Sequence, residues 1–281
     1  MLVAMASPDA ARTTQPRWDP GQYLRHAEHR LRPVRDLLAR IPDPPHLPHP
    51  RIADLGCGPG SPSLPLLERW PDAHVTGYDS APSMLAAAAS HAGSTPGGGT
   101  LDFAAADLAE WHPSEPFDLL FSNAALQWVP GHTAAFSAWL DGLSAGGVLA
   151  FQVPGNFDMP SHALLRRLRN SPRWRSRLAE GDDRIRPVLD PAGYLDVLAR
   201  LGCTVDAWET TYLHLLQGVD PVLDWVKGTA LRPVLPRFAG DPEARDAFLA
   251  EYAAALREAY PSHPYGTPFA FRRIFVVAVA Q

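Results

Sequence analysis

Three glycines and three acids carry the chemistry this sequence offers. The stretch IADLGCGPG (52–60) puts Gly56, Gly58 and Gly60 at alternate positions, with Asp54 two residues ahead of the first. Glycine gives up the most conformational freedom on folding, so three in one turn imply a sharp bend and a ligand brought close to backbone. Such a turn, leaving a strand and opening a helix, presents free N–H groups. Dinucleotide enzymes use the related GxGxxG, but here the spacing is GxGxG and Ser61 stands where their third glycine would be. Asp54 would repel a pyrophosphate and suits a cationic amino acid. Two further runs, AHVTGYD (73–79) and LDFAAAD (101–107), end on Asp79 and Asp107. The first is positioned to accept both hydroxyls of a ribose, the second an adenine amino proton. Together they describe a nucleoside with an ammonium group and no phosphates, which S-adenosylmethionine fits.

These residues need strands to end where they stand. RIADL (51–55) reads as a strand, the run from Ser63 to Trp70 as a helix, and 73–79 and 101–107 as the next two strands. Between them PSMLAAAASHA (82–92) reads as a helix with Ser80 as N-cap and Pro82 in its first turn, followed by a loop over 94–100. PFDLLFSNA (116–124) makes a fourth strand, 132–143 a helix, SAGG (144–147) a turn, and VLAFQV (148–153) a fifth strand. Strand and helix alternate in the βαβ rhythm of a parallel sheet with both faces covered. Ahead of this core, Leu24, Ala27, Leu31, Val34, Leu37, Leu38 and Ile41 recur at helical spacing, and the proline-rich 42–50 is a connector. After Pro154 the rhythm breaks. Residues 155–200 and 217–268 read as mostly helical excursions that could form a lid, 204–216 and 271–280 as closing strands.

Composition excludes several classes. With 46% hydrophobic and 20% charged residues, the 281-residue chain is ordinary for a soluble globular protein. A net charge of −5 gives no reason to expect nucleic acid or an acidic membrane as partner. Lys227 is the only lysine, so arginine abundance reports nucleotide composition of the gene before any anion site. Cys57 and Cys203, far apart and without a CxxC, suggest neither disulfide nor zinc and fit a reducing cytosol. No run approaches the ~20 apolar residues of a membrane span. The opening 17 residues read as a flexible extension, and a cytoplasmic location is expected.

DLGCGPG, YDSAPSM, AADLAEW and SNAALQWVP together resemble the class I S-adenosylmethionine-dependent methyltransferases. With WDPGQYL, RLRP, VPGNF, GCTVDAWETTYLH, VLDW, ALRP and FRRIFVVA, the chain is similar more narrowly to the trans-aconitate 2-methyltransferase family. The resemblance implies a doubly wound, mostly parallel, seven-stranded α/β sheet, Rossmann-like, in one methyltransferase domain over 18–281. Within it 18–41 would be an N-terminal helix and 50–154 the cofactor-binding core. It would set Gly56, Gly58 and Gly60 against the methionine moiety with Asp54 near its ammonium, Asp79 and Ser80 at the ribose, Asp107 and Leu108 at the adenine, and Asn123 facing the sulfonium. SNAA lacks the prolines of the (D/N)PP(Y/F) motif used to methylate nucleic-acid amines.

The reaction so implied is monomethyl esterification of a polycarboxylate, with S-adenosylhomocysteine as second product. A carboxylate with a pKa of about 4 is already ionised, so neither a general base nor a metal is expected. Alignment and anchoring remain, and arginine forks suit carboxylates. Arg232, Arg273 and Arg30 or Arg32 are the candidate clamps, with Tyr23, Gln127 and Trp128 lining the same pocket. Arg166, Arg167 and Arg169 read as a solvated helix face, and His132 as an exposed helix-start residue. A phenol or amine acceptor, or a binding protein without turnover, also remains compatible with these residues.

Overall fold

The short strand before the glycine turn becomes a central strand of the sheet. A computed structural model describes residues 27–45, 48–178 and 188–281. Its strands are β1 (Arg51–Leu55), β2 (His74–Asp79), β3 (Gly93–Ser94), β4 (Thr100–Ala105), β5 (Phe117–Asn123), β6 (Leu143–Pro154), β7 (Thr204–Leu216) and β8 (Thr267–Val279). They form one sheet in the order β3-β4-β2-β1-β5-β6-β8-β7. β4, β2, β1, β5 and β6 run parallel. The pairings β3–β4, β6–β8 and β7–β8 are antiparallel. The α/β, mostly parallel class is as expected, with one strand more than the expected seven. The addition is β3, a two-residue piece on the β4 edge.

Alternation along each strand explains the double winding. On β8, Ile274, Val276 and Ala278 enter one core with Leu55, Phe136, Trp139 and Leu198. Phe275 and Val277 enter the other, with Val34, Leu37, Leu66 and Trp70. A two-residue period presents apolar groups to both faces, so both must be covered by helices. α1 (Ala27–Leu38) and α2 (Leu64–Arg69) supply the second core. Between β2 and β3 runs α3 (Pro82–Ala88), followed by a 3₁₀ turn, so the helix expected over 82–92 tightens after its second turn. Ser80 is not its cap: Ala81 holds that position, and the Asp79 carboxylate accepts the Ala81 N–H at 2.8 Å.

The SAGG stretch is not a free turn. It lies inside β6 as a bulge, since Phe117 pairs with Leu143 but Leu119 with Val148. α4 (Phe136–Asp141) precedes it. Beyond Pro154, which pairs with Arg273, β8 continues to Thr267 against β7 alone. This overhang carries a third core, Phe269 and Phe271 packing with the helical excursions. Those are α5 (Pro160–Arg169), α6 (Arg175–Leu178), α8 (Pro221–Lys227) and α9 (Pro242–Ala259), while α7 (Pro191–Arg200) packs back on β7. Among the described residues no helix is long and apolar enough to cross a membrane.

Candidate active site

The glycine turn, Asp54 and Asp79 meet at the carboxyl ends of β1 and β2, next to β5, where the chain's winding reverses from the β2 side of β1 to the β5 side. Ligands of open α/β sheets bind at that crevice. Gly56, Gly58 and Gly60 have φ of +81°, +57° and +83°. A Cβ on Gly56 would fall 2.1 Å from Ala125 Cβ, and on Gly60 2.8 Å from the Phe103 ring. A Cβ on Gly58 would meet nothing within 4 Å, so that glycine borders open space. The turn is tied down by Gly56 N–H and Cys57 N–H donating to Tyr78 O at 2.8 and 3.0 Å.

Asp79 braces the turn from β2. Its Oδ2 accepts the Gly58 N–H at 2.9 Å and its Oδ1 that of Ala81. Burial raises its pKa, and these backbone donors pull it back. Each oxygen keeps a lone pair for a further donor. Asp54 lies buried under the turn, 1% exposed, accepting from Ser63 Oγ at 2.6 Å. Burial lifts its pKa to about 7, against the Ser63 hydrogen bond and with the charge of Asp79. Asp107 is not on a strand: β4 ends at Ala105, and exposed Asp107 opens a turn by accepting the Ala109 N–H at 3.0 Å. Leu108 is buried, its Cδ1 3.8 Å from where a Gly56 Cβ would stand. Ser80 is exposed. Open space at Gly58 and two carboxylates nearby fit a nucleoside with a cationic tail.

At the end of β5 a second feature opens. Asn123 Oδ1 accepts from Gln152 Nε2, and Gln152 Oε1 accepts from Arg273 Nη1 at 3.3 Å. This relay joins the carboxyl-terminal ends of β5 and β6 to the middle of β8 and orients all three side chains. Asn123, Gln127, Trp128 and Arg273 line one cavity with Pro154, Phe157, His162, Trp225, Gly228, Thr229, Ala230 and Phe271. Arg273 lies over the Phe271 ring at 4.5 Å and is only 6% exposed. Ala124, also on the wall, has φ of +55°, and its carbonyl accepts from Gln127 Nε2. Gln127 Oε1 is buried with no hydrogen-bond partner among the described residues, an acceptor suited to a positively charged neighbour.

Other candidates are not gathered here. Arg32 lies over the Tyr212 ring at 4.8 Å, away from the cavity wall. Arg232 is buried behind it, its Nε donating to Gly228 O at 3.1 Å. Tyr23, the extension over 1–17 and the Arg30 side chain lie outside the described residues. His132 is buried, contrary to expectation, with Nε2 2.8 Å from Tyr194 Oη, and ties the segment after β5 to α7. His162 was not singled out by sequence, because nothing local marks a histidine that reaches the cavity only once α5 packs on the β8 overhang. Among the described residues no cluster of His, Cys, Asp or Glu has the make-up of a metal site.

Comparison with known proteins identifies the family. Residues 52–147 match the family model described as a methyltransferase domain. A curated trans-aconitate 2-methyltransferase of Streptomyces coelicolor is 62% identical over 94% of this chain and 87% of its own length. The chain belongs to the trans-aconitate 2-methyltransferase family. A second curated relative of that name, from Streptomyces avermitilis, is also 62% identical, over 94% of this chain and 97% of its own. The YcgJ protein of Bacillus subtilis aligns with a TM-score of 0.55 at 14% identity, over 90% of this chain and 99% of that one. That likeness speaks to fold alone. The protein is thus a methyltransferase with the class I fold.

Proposed function

We propose that the protein methylates a carboxylate of trans-aconitate, with S-adenosylmethionine as donor and the monomethyl ester as product. The observation that carries this reading is the cavity beside Asn123: among the described residues that line it, Arg273 is the one with a formal charge and none is a carboxylate. When bound, the cofactor supplies a methyl group on a sulfonium, whose S–CH3 bond breaks with its electrons returning to sulfur. In this reading Gly56, Gly58 and Gly60 cradle the methionine moiety with Asp54 beneath its ammonium, whose positive charge would favour the ionised carboxylate. Asp79 and Ser80 hold the ribose, Asp107 and Leu108 the adenine. Asn123, fixed by Gln152, stands between cofactor and acid. Arg273 anchors one substrate carboxylate by its fork, which leaves another to face the methyl group. Gln127 and Trp128 confine it, Arg232 supports the 228–230 wall, and α5 and α8, from the two excursions read over 155–200 and 217–268, cover the site. Carboxylate oxygen needs no base to attack, so positioning supplies the rate.

An aromatic wall of Trp128, Phe157, Trp225 and Phe271 would also suit a neutral phenol. A buried guanidinium beside it favours the acid. Initial rates against trans-aconitate and a simple phenol, for the wild type and Arg273→Ala, separate the two. The acid reading expects turnover of trans-aconitate, with KM raised tenfold or more in the variant and kcat changed less. Turnover of the phenol alone, or an unchanged KM, would contradict it.

A further inference from the structure

An acid with several carboxylates needs more than one donor, and Arg273 already gives one N–H to Gln152. Asn123 Oδ1 is taken by Gln152, and Gln127 Nε2 by Ala124 O. His162 differs. It lines the cavity from the helical side, on the first turn of α5. Its Nδ1 is 3.2 Å from Ser161 Oγ, and its ring meets Phe157 edge-on at 5.7 Å.

The proton on that ring can be assigned. Ser161 is 1% exposed, and His162 Nδ1 is the hydrogen-bond partner of its hydroxyl among the described residues. A buried donor left unmade costs more than an under-used acceptor, so the hydroxyl donates to Nδ1. Nε2 then carries the hydrogen and is the polar atom the ring has left to offer. Ser161 itself is held from α9: its N–H donates to Tyr260 Oη at 3.1 Å, and its carbonyl accepts from Tyr252 Oη at 2.8 Å. Burial, with Arg166 nearby, holds the imidazole pKa down to about 4, so it is neutral at working pH. A neutral N–H donor adds a contact without a second charge on the wall.

We propose that His162 is the second substrate anchor, its Nε2–H donating to a carboxylate of the acid that Arg273 already holds by another, so that the cavity selects polycarboxylates over monocarboxylates. This rests on the acid-methylating reading above. The test compares kcat and KM for trans-aconitate and for a short unsaturated monocarboxylic acid, in the wild type, His162→Phe and His162→Gln. In His162→Phe the KM for trans-aconitate should rise about tenfold, with little change for the monoacid, so that the preference collapses. His162→Gln keeps an N–H donor and should recover most of it. A purely structural role would move both acids together, and that parallel loss, or no loss, would overturn the inference while leaving the acid reading intact. A wild type that methylates no carboxylic acid would overturn that reading, and this inference with it. S-adenosylhomocysteine affinity, unchanged in both variants, reports that they fold.

Discussion

Gly58 and Gly60 share a positive φ but not a reason for being glycine. At Gly58 an added methyl meets open space, so Gly58→Ala should cost the fold only the about 1–2 kcal/mol of a left-handed backbone. In the proposed cofactor pose the methyl enters the ligand's space, so cofactor affinity measured by calorimetry should fall further. Gly60→Ala adds a clash with Phe103 and Ala88 to the same backbone cost, so its melting temperature should fall the more of the two. Asp54 gives a second residue-scale prediction. The folded protein keeps that proton up to about pH 7, whereas the ordinary carboxyl releases it near 3.8. Its contribution to stability is therefore fully present below 3.8 and lost as pH rises through 7, roughly 4 kcal/mol in all. Asp54→Asn should flatten the fall in melting temperature between pH 5 and pH 8. Identical pH profiles for the two proteins would contradict this. The glycines and Asp79 could be found from sequence because their cause is local, a strand end and a tight turn. His162 could not, since its role depends on Tyr252 and Tyr260 some 90 residues on.

At the scale of elements, the excursions stand on one hydrophobic cluster. Phe248 of α9 is fully buried, edge-on to Trp174 at 5.4 Å and 5.2 Å from Phe238. Phe248→Ala should destabilise this cluster by about 3–5 kcal/mol. Because β1, β2 and the glycine turn belong to other cores, S-adenosylhomocysteine affinity should hold while kcat/KM for the acid drops. Equal losses in both would show that the cluster and the sheet cores behave as one. The strands themselves were legible to differing degrees. β7 was read from sequence with the bounds it has, because a 13-residue alternation rich in threonine and aromatics admits little else. β6 was cut short at 148, since Gly146 and Gly147 look like a turn when the bulge opposite Phe117 is unseen. The two-residue β3 carries no pattern at all; pairing to β4 alone makes it a strand.

For the whole molecule, a ligand held at the crevice should register as added stability. S-adenosylhomocysteine at a hundred times its Kd should stabilise the protein by about 2.7 kcal/mol in thermal unfolding. An unshifted melting temperature would count against the crevice as a ligand site. Sequence carried the parallel core, since strand spacing and glycine turns are written locally. It did not carry which arginine reaches the cavity. Arg232 and Arg273 looked alike in the chain, and only the antiparallel pairing of β8 with β6 brings Arg273 beside Gln152. Transfer of methyl to a carboxylate is the reaction on which all of this rests. Its most direct test is to incubate the protein with methyl-labelled S-adenosylmethionine and trans-aconitate and to assay base-labile label. One ester per S-adenosylhomocysteine formed is the predicted result; S-adenosylhomocysteine without ester, or no label on the acid while the cofactor still binds, would contradict it.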